Sequence, residues 1–261
     1  MNSVMVWPQA RTAPGLTQRG VCVTNADVIR PRRLCVNLNM KKTDQTLLGD
    51  GLVLDAASGA APKALLVLAQ SQAALRADAR ERLDCVEAAF GSLLEQSPEA
   101  ELSADLFDQT VGELDNASGV QDERDAQGMA EGGLPAPIAH ALMGQKERGW
   151  KRRFGGLQER VIDSLCEPGI RARLVRIPPG AGTIEHGHEG DEHTLVLSGA
   201  FVDEHGSYDV GDACVAGPNE VHHPRVEGSK ACICFVVECG ALKPTNPALA
   251  AANRIFGGRY F

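Results

Sequence analysis

The apolar positions of this chain change their period once, and the change divides it. Between about 44 and 116 Ala, Leu and Glu dominate, and apolar side chains recur at helical spacing. Leu65, Leu68, Gln72 and Leu75 form one such stripe, with a polar residue at 72. Leu83, Val86, Phe90 and Leu93 form a cleaner one. Pro62 suits the first turn of a helix, and Ser103 is a suitable cap before Leu106, Phe107, Val111 and Leu114. These stripes predict a small helical bundle, or a helical dimerisation element, with the stripes as its core. Residues 117–137 are rich in Gly and charge and read as a flexible linker. Past them the apolar runs shorten to 172–177, 194–201, 213–216 and 231–238, punctuated by Pro178-Pro179-Gly180 and Pro218-Asn219. That rhythm predicts a small β-barrel or jelly-roll sandwich.

The expected fold class is therefore α+β and multidomain. A small helical domain (44–116) and the linker precede an all-β domain (138–243) and a C-terminal tail (244–261). Residues 1–43 are basic (Arg11, Arg19, Arg30, Arg32, Arg33, Lys41, Lys42), broken by Pro8, Pro14 and Pro31, and read as a poorly ordered extension. Their amphipathic pattern is poor for a mitochondrial presequence, and translation is expected to start at Met40.

Composition narrows the partners. A net charge of −8 over 261 residues argues against a nucleic-acid or anionic-membrane surface. No apolar run approaches the roughly 18 residues of a membrane span, and no secretory signal pattern opens the chain. The eight cysteines (22, 35, 85, 166, 214, 232, 234, 239) form no compact framework and read as reduced thiols of a cytoplasmic protein. Cys232 and Cys234 share one face of a strand, at a spacing too wide for an unstrained disulfide. They are either small buried apolar residues or a redox-sensing pair.

The chemistry concentrates near residue 190. There the chain reads Gly180-x5-His186-x-His188-x3-Glu192-x6-Gly199, and Gly211-Asp212 through His222-His223-Pro224 follows. Residues two apart on a strand face the same way, so His186 and His188 can reach one ion. A short turn (Glu189, Gly190, Asp191) then brings Glu192 beside them, and Gly199 suits the hairpin after the next strand. His222 supplies a third imidazole; its neighbour His223, held extended before Pro224, is the less favoured choice. Three imidazoles and a carboxylate suit Zn, Fe, Mn or Ni rather than Ca or Mg. His193 should face away, His205 should lie in a solvated turn, and His140 has no evident partner.

The motif marks a cupin, and the order of helical and cupin halves resembles the ChrR family of cupin-containing anti-sigma factors. The resemblance spans about 46–240 and is strongest from His186 to Asp203, at Gly211-Asp212, at His222-x-Pro224 and at Cys232-Ile-Cys234. In the helical half it is carried by Leu-Asp-Ala-Ala-Ser-Gly-Ala (54–60), by Phe90-Gly-Ser-Leu-Leu-Glu95 and by the Leu-Ser pair at 102–103. It implies a helical domain that holds a sigma factor. It also implies a cupin whose metal, at His186, His188, Glu192 and His222, serves release of that factor under oxidative stress. The cysteine pair would be Cys232 and Cys234. The family's helical zinc motif, His-x3-Cys-x2-Cys with an earlier histidine, is not matched: Gln72, Arg76, Ala79 and Leu47 stand at those positions. The helical domain is therefore expected to fold on its apolar stripe alone, with a sigma factor or a second copy as its partner.

The alternative is a cupin-type metal-dependent dioxygenase, or another small-molecule cupin, using Fe at the same four residues. Only Glu185 and Glu189 offer an acid–base group nearby, and both read as solvated turn residues. Zn without oxygen uptake favours the regulator; Fe with oxygen consumption favours the enzyme.

Overall fold

The structure is a computed structural model, and it describes residues 46–116, 128–130, 133–143, 149–218, 220–247 and 251. The leading extension, the start at Met40, Cys22 and Cys35, and much of the linker and tail lie outside the described residues.

Among the described residues, four helices come first: α1 (Asp50–Ser58), α2 (Lys63–Leu75), α3 (Ala77–Glu95) and α4 (Leu106–Asn116). Pro62 sits one place ahead of the expected first turn, at the cap of α2, where its carbonyl accepts the Leu65 and Leu66 N–H groups. Helix α5 (Ala136–Leu142) carries Pro137 in its first turn, where the missing N–H costs no helical hydrogen bond. The β part contains β1 (Lys151–Arg152), β2 (Gln158–Val161), β3 (Ile170–Ile177), β4 (His186–His188) and β5 (Glu192–Ser198). It continues with β6 (Phe201–Val202), β7 (Ser207–Tyr208), β8 (Ala213–Ala216), β9 (Cys232–Cys239) and β10 (Leu242–Pro244). The main sheet runs β1-β2-β3-β9-β5-β8, antiparallel throughout, with small pairs β10-β4 and β6-β7. The run expected over 194–201 is broken after Ser198, where Gly199 turns at φ 75° and a side chain would collide with the Ala231 carbonyl.

Both faces of the main sheet are buried, so its strands carry apolar residues at successive positions rather than in alternation. Val175, Ile177, Val196, Cys214, Cys232, Cys234 and Val236 face the barrel interior as one cluster. Ala172, Leu174, Leu195, Leu197, Phe235 and Val237 face the other way, into a cluster with Leu65 and Leu68 of α2. Helix α2 is thus enclosed by α1, α3 and α5 and by the sheet, and is buried nearly all round. The helical part accordingly does not rest on its stripe alone; its core continues into the outer face of the sheet. Gln72, the polar position in the stripe, is buried and spans the junction. Its Nε2 donates to the Thr46 carbonyl (2.9 Å) and the Gly211 carbonyl (3.1 Å), and its Oε1 accepts the Leu48 N–H (3.1 Å). Arg76 reaches Thr46 Oγ1, Asp78 and, at 2.5 Å, Asp212.

The second stripe fares differently. Leu83 is buried, but Leu93 is 61% and Leu94 75% exposed, and Phe107, Val111 and Leu114 of α4 are exposed too. Leu93, Phe107, Val111 and Leu114 are positions the stripes predict as core, yet α4 lays none of its apolar side chains in the protein interior. No single described helix is long and apolar enough to cross a membrane.

Candidate metal centre

The four expected donors meet inside the barrel. Strand β4 pairs with β10, Pro244 opposite His186 and Leu242 opposite His188, and His186 also bridges to His222. Glycine at 190 is required by the turn that follows, since a Cβ there would lie 2.0 Å from the Cys239 carbonyl oxygen. That turn delivers Glu192 at the start of β5. All four residues are buried, and their donor atoms lie within 4.8 Å of one another.

The tautomers follow from what the other ring nitrogens touch. His186 Nδ1 lies 2.7 Å from the Ile184 carbonyl, which can only accept, so this nitrogen carries the proton. His222 Nδ1 faces the Asp203 carboxylate at 3.4 Å and donates likewise. Each ring therefore presents an Nε2 lone pair to the centre. Those two Nε2 atoms stand 3.3 Å apart, and His188 Nε2 is 3.2 Å from His222 Nε2. Glu192 oxygens lie 3.6 Å and 3.9 Å from the His222 and His188 nitrogens. Lone pairs facing at such range repel unless a cation lies among them. Metal–nitrogen bonds of about 2.0–2.1 Å in a tetrahedron would space the donors about 3.3 Å apart, close to what is found. The residues present could therefore hold a divalent ion, with Ile184 and Asp203 orienting two ligands from behind.

Electrostatics favours the metal-binding form at three of the four residues. Burial lowers His186 to about 4, against the pull of Glu192, and lowers His188 as well. His222 is raised: burial opposes protonation, but the Asp203 hydrogen bond and Glu192 outweigh it. Glu192 stays low despite its burial, held by the surrounding histidines and Arg173. Neutral imidazoles at His186 and His188 and an ionised Glu192 are the forms that bind metal, while the raised His222 would release its proton as an ion binds.

The remaining histidines fall where expected. His193 alternates to the helix-covered side of β5, His205 is exposed in the β6–β7 turn, and His223 points away while its N–H donates to Glu204. Glu185 and Glu189 are exposed. Cys232 and Cys234 share the interior face of β9 with sulfurs 3.5 Å apart, in contact without being bonded. The hydrogen bond that its thiol gives to Cys232, with burial, holds Cys234 well above its usual range.

Two features escaped the sequence reading. Asp203 closed the quoted motif without a role, and its carboxylate sits behind His222 and beside Cys214. A buried ion network of Glu159, Arg171, Arg173 and Glu238 lines the barrel next to Glu192. Its members come from three strands, and only the inward parity of charged positions 159, 171, 173 and 238 signals it.

Comparison with known proteins is consistent with this architecture. The family described as ChrR Cupin-like domain matches residues 139–242. The anti-sigma-E factor ChrR of Cereibacter sphaeroides is 30% identical over 198 residues, covering 75% of this chain and 90% of that protein. The structure of Rhodobacter sphaeroides SigE in complex with the anti-sigma ChrR matches with a TM-score of 0.58 at 30% identity, covering 74% of this chain and 97% of the other. KdgF from Halomonas sp. also matches, with a TM-score of 0.32 at 24% identity over 36% of this chain and 91% of its own.

Proposed function

Because this chain belongs to the ChrR family of anti-sigma factors, we propose that it is itself an anti-sigma factor, binding a sigma factor through its helices and a metal ion in its barrel. The observation that carries the reading is the set of exposed apolar side chains on two successive helices, Leu93 and Leu94 on α3 and Phe107, Val111 and Leu114 on α4. Side chains of that size gain roughly 1.5–3 kcal/mol each when buried, so such a surface favours a partner. The relative's sigma factor is the partner of matching kind; a second copy of the chain is the competing occupant.

In the barrel the metal is held by His186, His188, Glu192 and His222, with zinc the first choice and Fe, Mn or Ni the others. The ion supplies cross-linking of separate strands and a positive centre. Cys232 and Cys234 form the oxidant-responsive pair: on oxidation each thiol loses a proton and the two sulfurs join, two electrons passing to the oxidant. Same-face neighbours on a strand hold their Cβ atoms beyond the roughly 3.5–4.5 Å of a relaxed bridge, which leaves that bond strained and readily reduced. In the helical part Gln72 and Arg76 do the holding, so no second metal is needed, and the protein works in the cytoplasm, where thiols stay reduced.

The test is co-expression with an extracytoplasmic-function sigma factor from the same source, followed by co-purification and metal analysis. A complex carrying one metal per chain is expected, and Phe107→Asp with Leu114→Asp should weaken it at least tenfold. A chain that purifies alone, or as a dimer through the same face, sinks the sigma-factor reading.

A further inference from the structure

A cavity of about 750 Å³, its open mouth included, lies against the four-donor cluster. His186 and Glu192 line one side of it and Arg173 and Glu159 another, while Val175, Ile177, Phe201 and Val236 make an apolar wall. This is the common make-up of a small-molecule site, mostly apolar with a few convergent polar groups.

Arg173 marks what the cavity would take. It is 7% exposed, and two of its nitrogens are engaged, with Glu159 at 3.3 Å and Glu238 at 2.6 Å. Its Nε is buried with no acceptor among the described residues. A buried donor left unpaired is destabilising, and an oxygen arriving with a ligand would satisfy it.

The charge balance specifies the sign. In and around the interior stand the guanidiniums of Arg153, Arg171 and Arg173, against the carboxylates of Glu159, Glu238, Glu192 and Asp203. Without a metal the carboxylates outnumber the cations by one. With a divalent ion the balance turns to one positive charge, in surroundings where an unmatched charge is expensive.

We propose that the metal-loaded barrel binds a small monocarboxylate with an apolar body, its carboxylate between the four-donor cluster and Arg173 Nε and its body against Val175, Ile177, Phe201 and Val236. This rests on the metal-centre reading above and adds the class of ligand. The site takes an anion only when the metal is present, so ligand and metal bind cooperatively.

The probe is octanoate, below its micellar range, titrated calorimetrically into the full chain after its metal content has been measured. Binding of one octanoate per metal-loaded chain is expected, at least tenfold weaker in chelated protein and at least tenfold weaker for 1-octanol. Arg173→Lys keeps the charge beside Glu238 but lacks Nε, and should lose at least tenfold with metal content unchanged. Should that variant not fold, Ile177→Phe fills the cavity four residues along β3 from Arg173, clear of the Glu238 pair, and should give the same loss. Full metal without octanoate binding overturns the inference alone, as do equal affinities for octanoate and octanol. Absence of stoichiometric metal overturns the metal centre and the inference together.

Discussion

At the residue scale the site is governed by what stands behind each ligand. His186 and His222 have their outer nitrogens engaged by the Ile184 carbonyl and Asp203, which leaves Nε2 as the donor to the centre. Losing such a backing group commonly costs 10–100-fold in metal affinity. Asp203→Asn is therefore expected to weaken metal binding by about that factor, measured by competition with a chelator. His186→Ala with His188→Ala should abolish binding and lower the melting temperature. Unchanged metal content in the double variant would refute the assignment. Acid acts on the same residues. His186 titrates at about 4 in the fold and at about 6.5 when unfolded. Between those values the unfolded chain holds the extra proton, so stability falls as the pH drops from 6.5 towards 4. For metal-free protein that loss is about 3 kcal/mol from His186 alone, to be read from denaturant melts across the range.

At the scale of elements, strand parity and one buried amide do most of the organising. Glu192, Thr194 and Val196 of β5 turn into the barrel, while His193, Leu195 and Leu197 turn to the helices. A one-residue slip would carry Glu192 out of the four-donor cluster and His193 into it. Gln72 fixes α2 to both the 46–48 segment and the turn before β8 through three hydrogen bonds. Gln72→Leu keeps the volume but leaves one N–H and two carbonyls without that partner. It is expected to destabilise the protein by about 3 kcal/mol, whereas Gln109→Leu on exposed α4 should change stability by less than about 0.5 kcal/mol. Equal effects in urea melts would show that the junction carries no weight.

For the whole molecule, the important fact is that the helices and barrel share a core across the main sheet. Phe235 and Val237 of β9, the strand that also carries the cysteine pair, pack into the cluster that holds Leu65 and Leu68. A metal bound in the barrel should therefore stabilise the helices as well. Free metal at a hundredfold excess over its dissociation constant adds about 2.7 kcal/mol, and chelation should move one cooperative transition, seen alike by helical and aromatic signals. Two separate transitions, only one of them responsive to chelator, would show that the halves unfold independently. The same continuity reaches α3 through Leu83, and so offers a route from barrel chemistry to one of the two helices proposed to hold the sigma factor. Cys232→Ser with Cys234→Ser should leave the fold and the complex intact but remove oxidant-triggered release.

The sequence by itself determined the local quantities. Helical and strand periods, the His-x-His spacing that puts two imidazoles on one face, the glycine turn that returns Glu192 and the extended His222-x-Pro224 stretch all depend on a few neighbouring residues. The four donors were legible for that reason. Tertiary structure alone decided which apolar stripes became core. Gln72 looked like a flaw in a stripe and proved a hydrogen-bonded junction, while the cleaner Leu93 and Phe107 positions face solvent. Periodicity records that a face is apolar but not what covers it. The inward ion network and the backing role of Asp203 were hidden for a related reason: their partners lie on different strands, and only closure of the barrel brings those charges together.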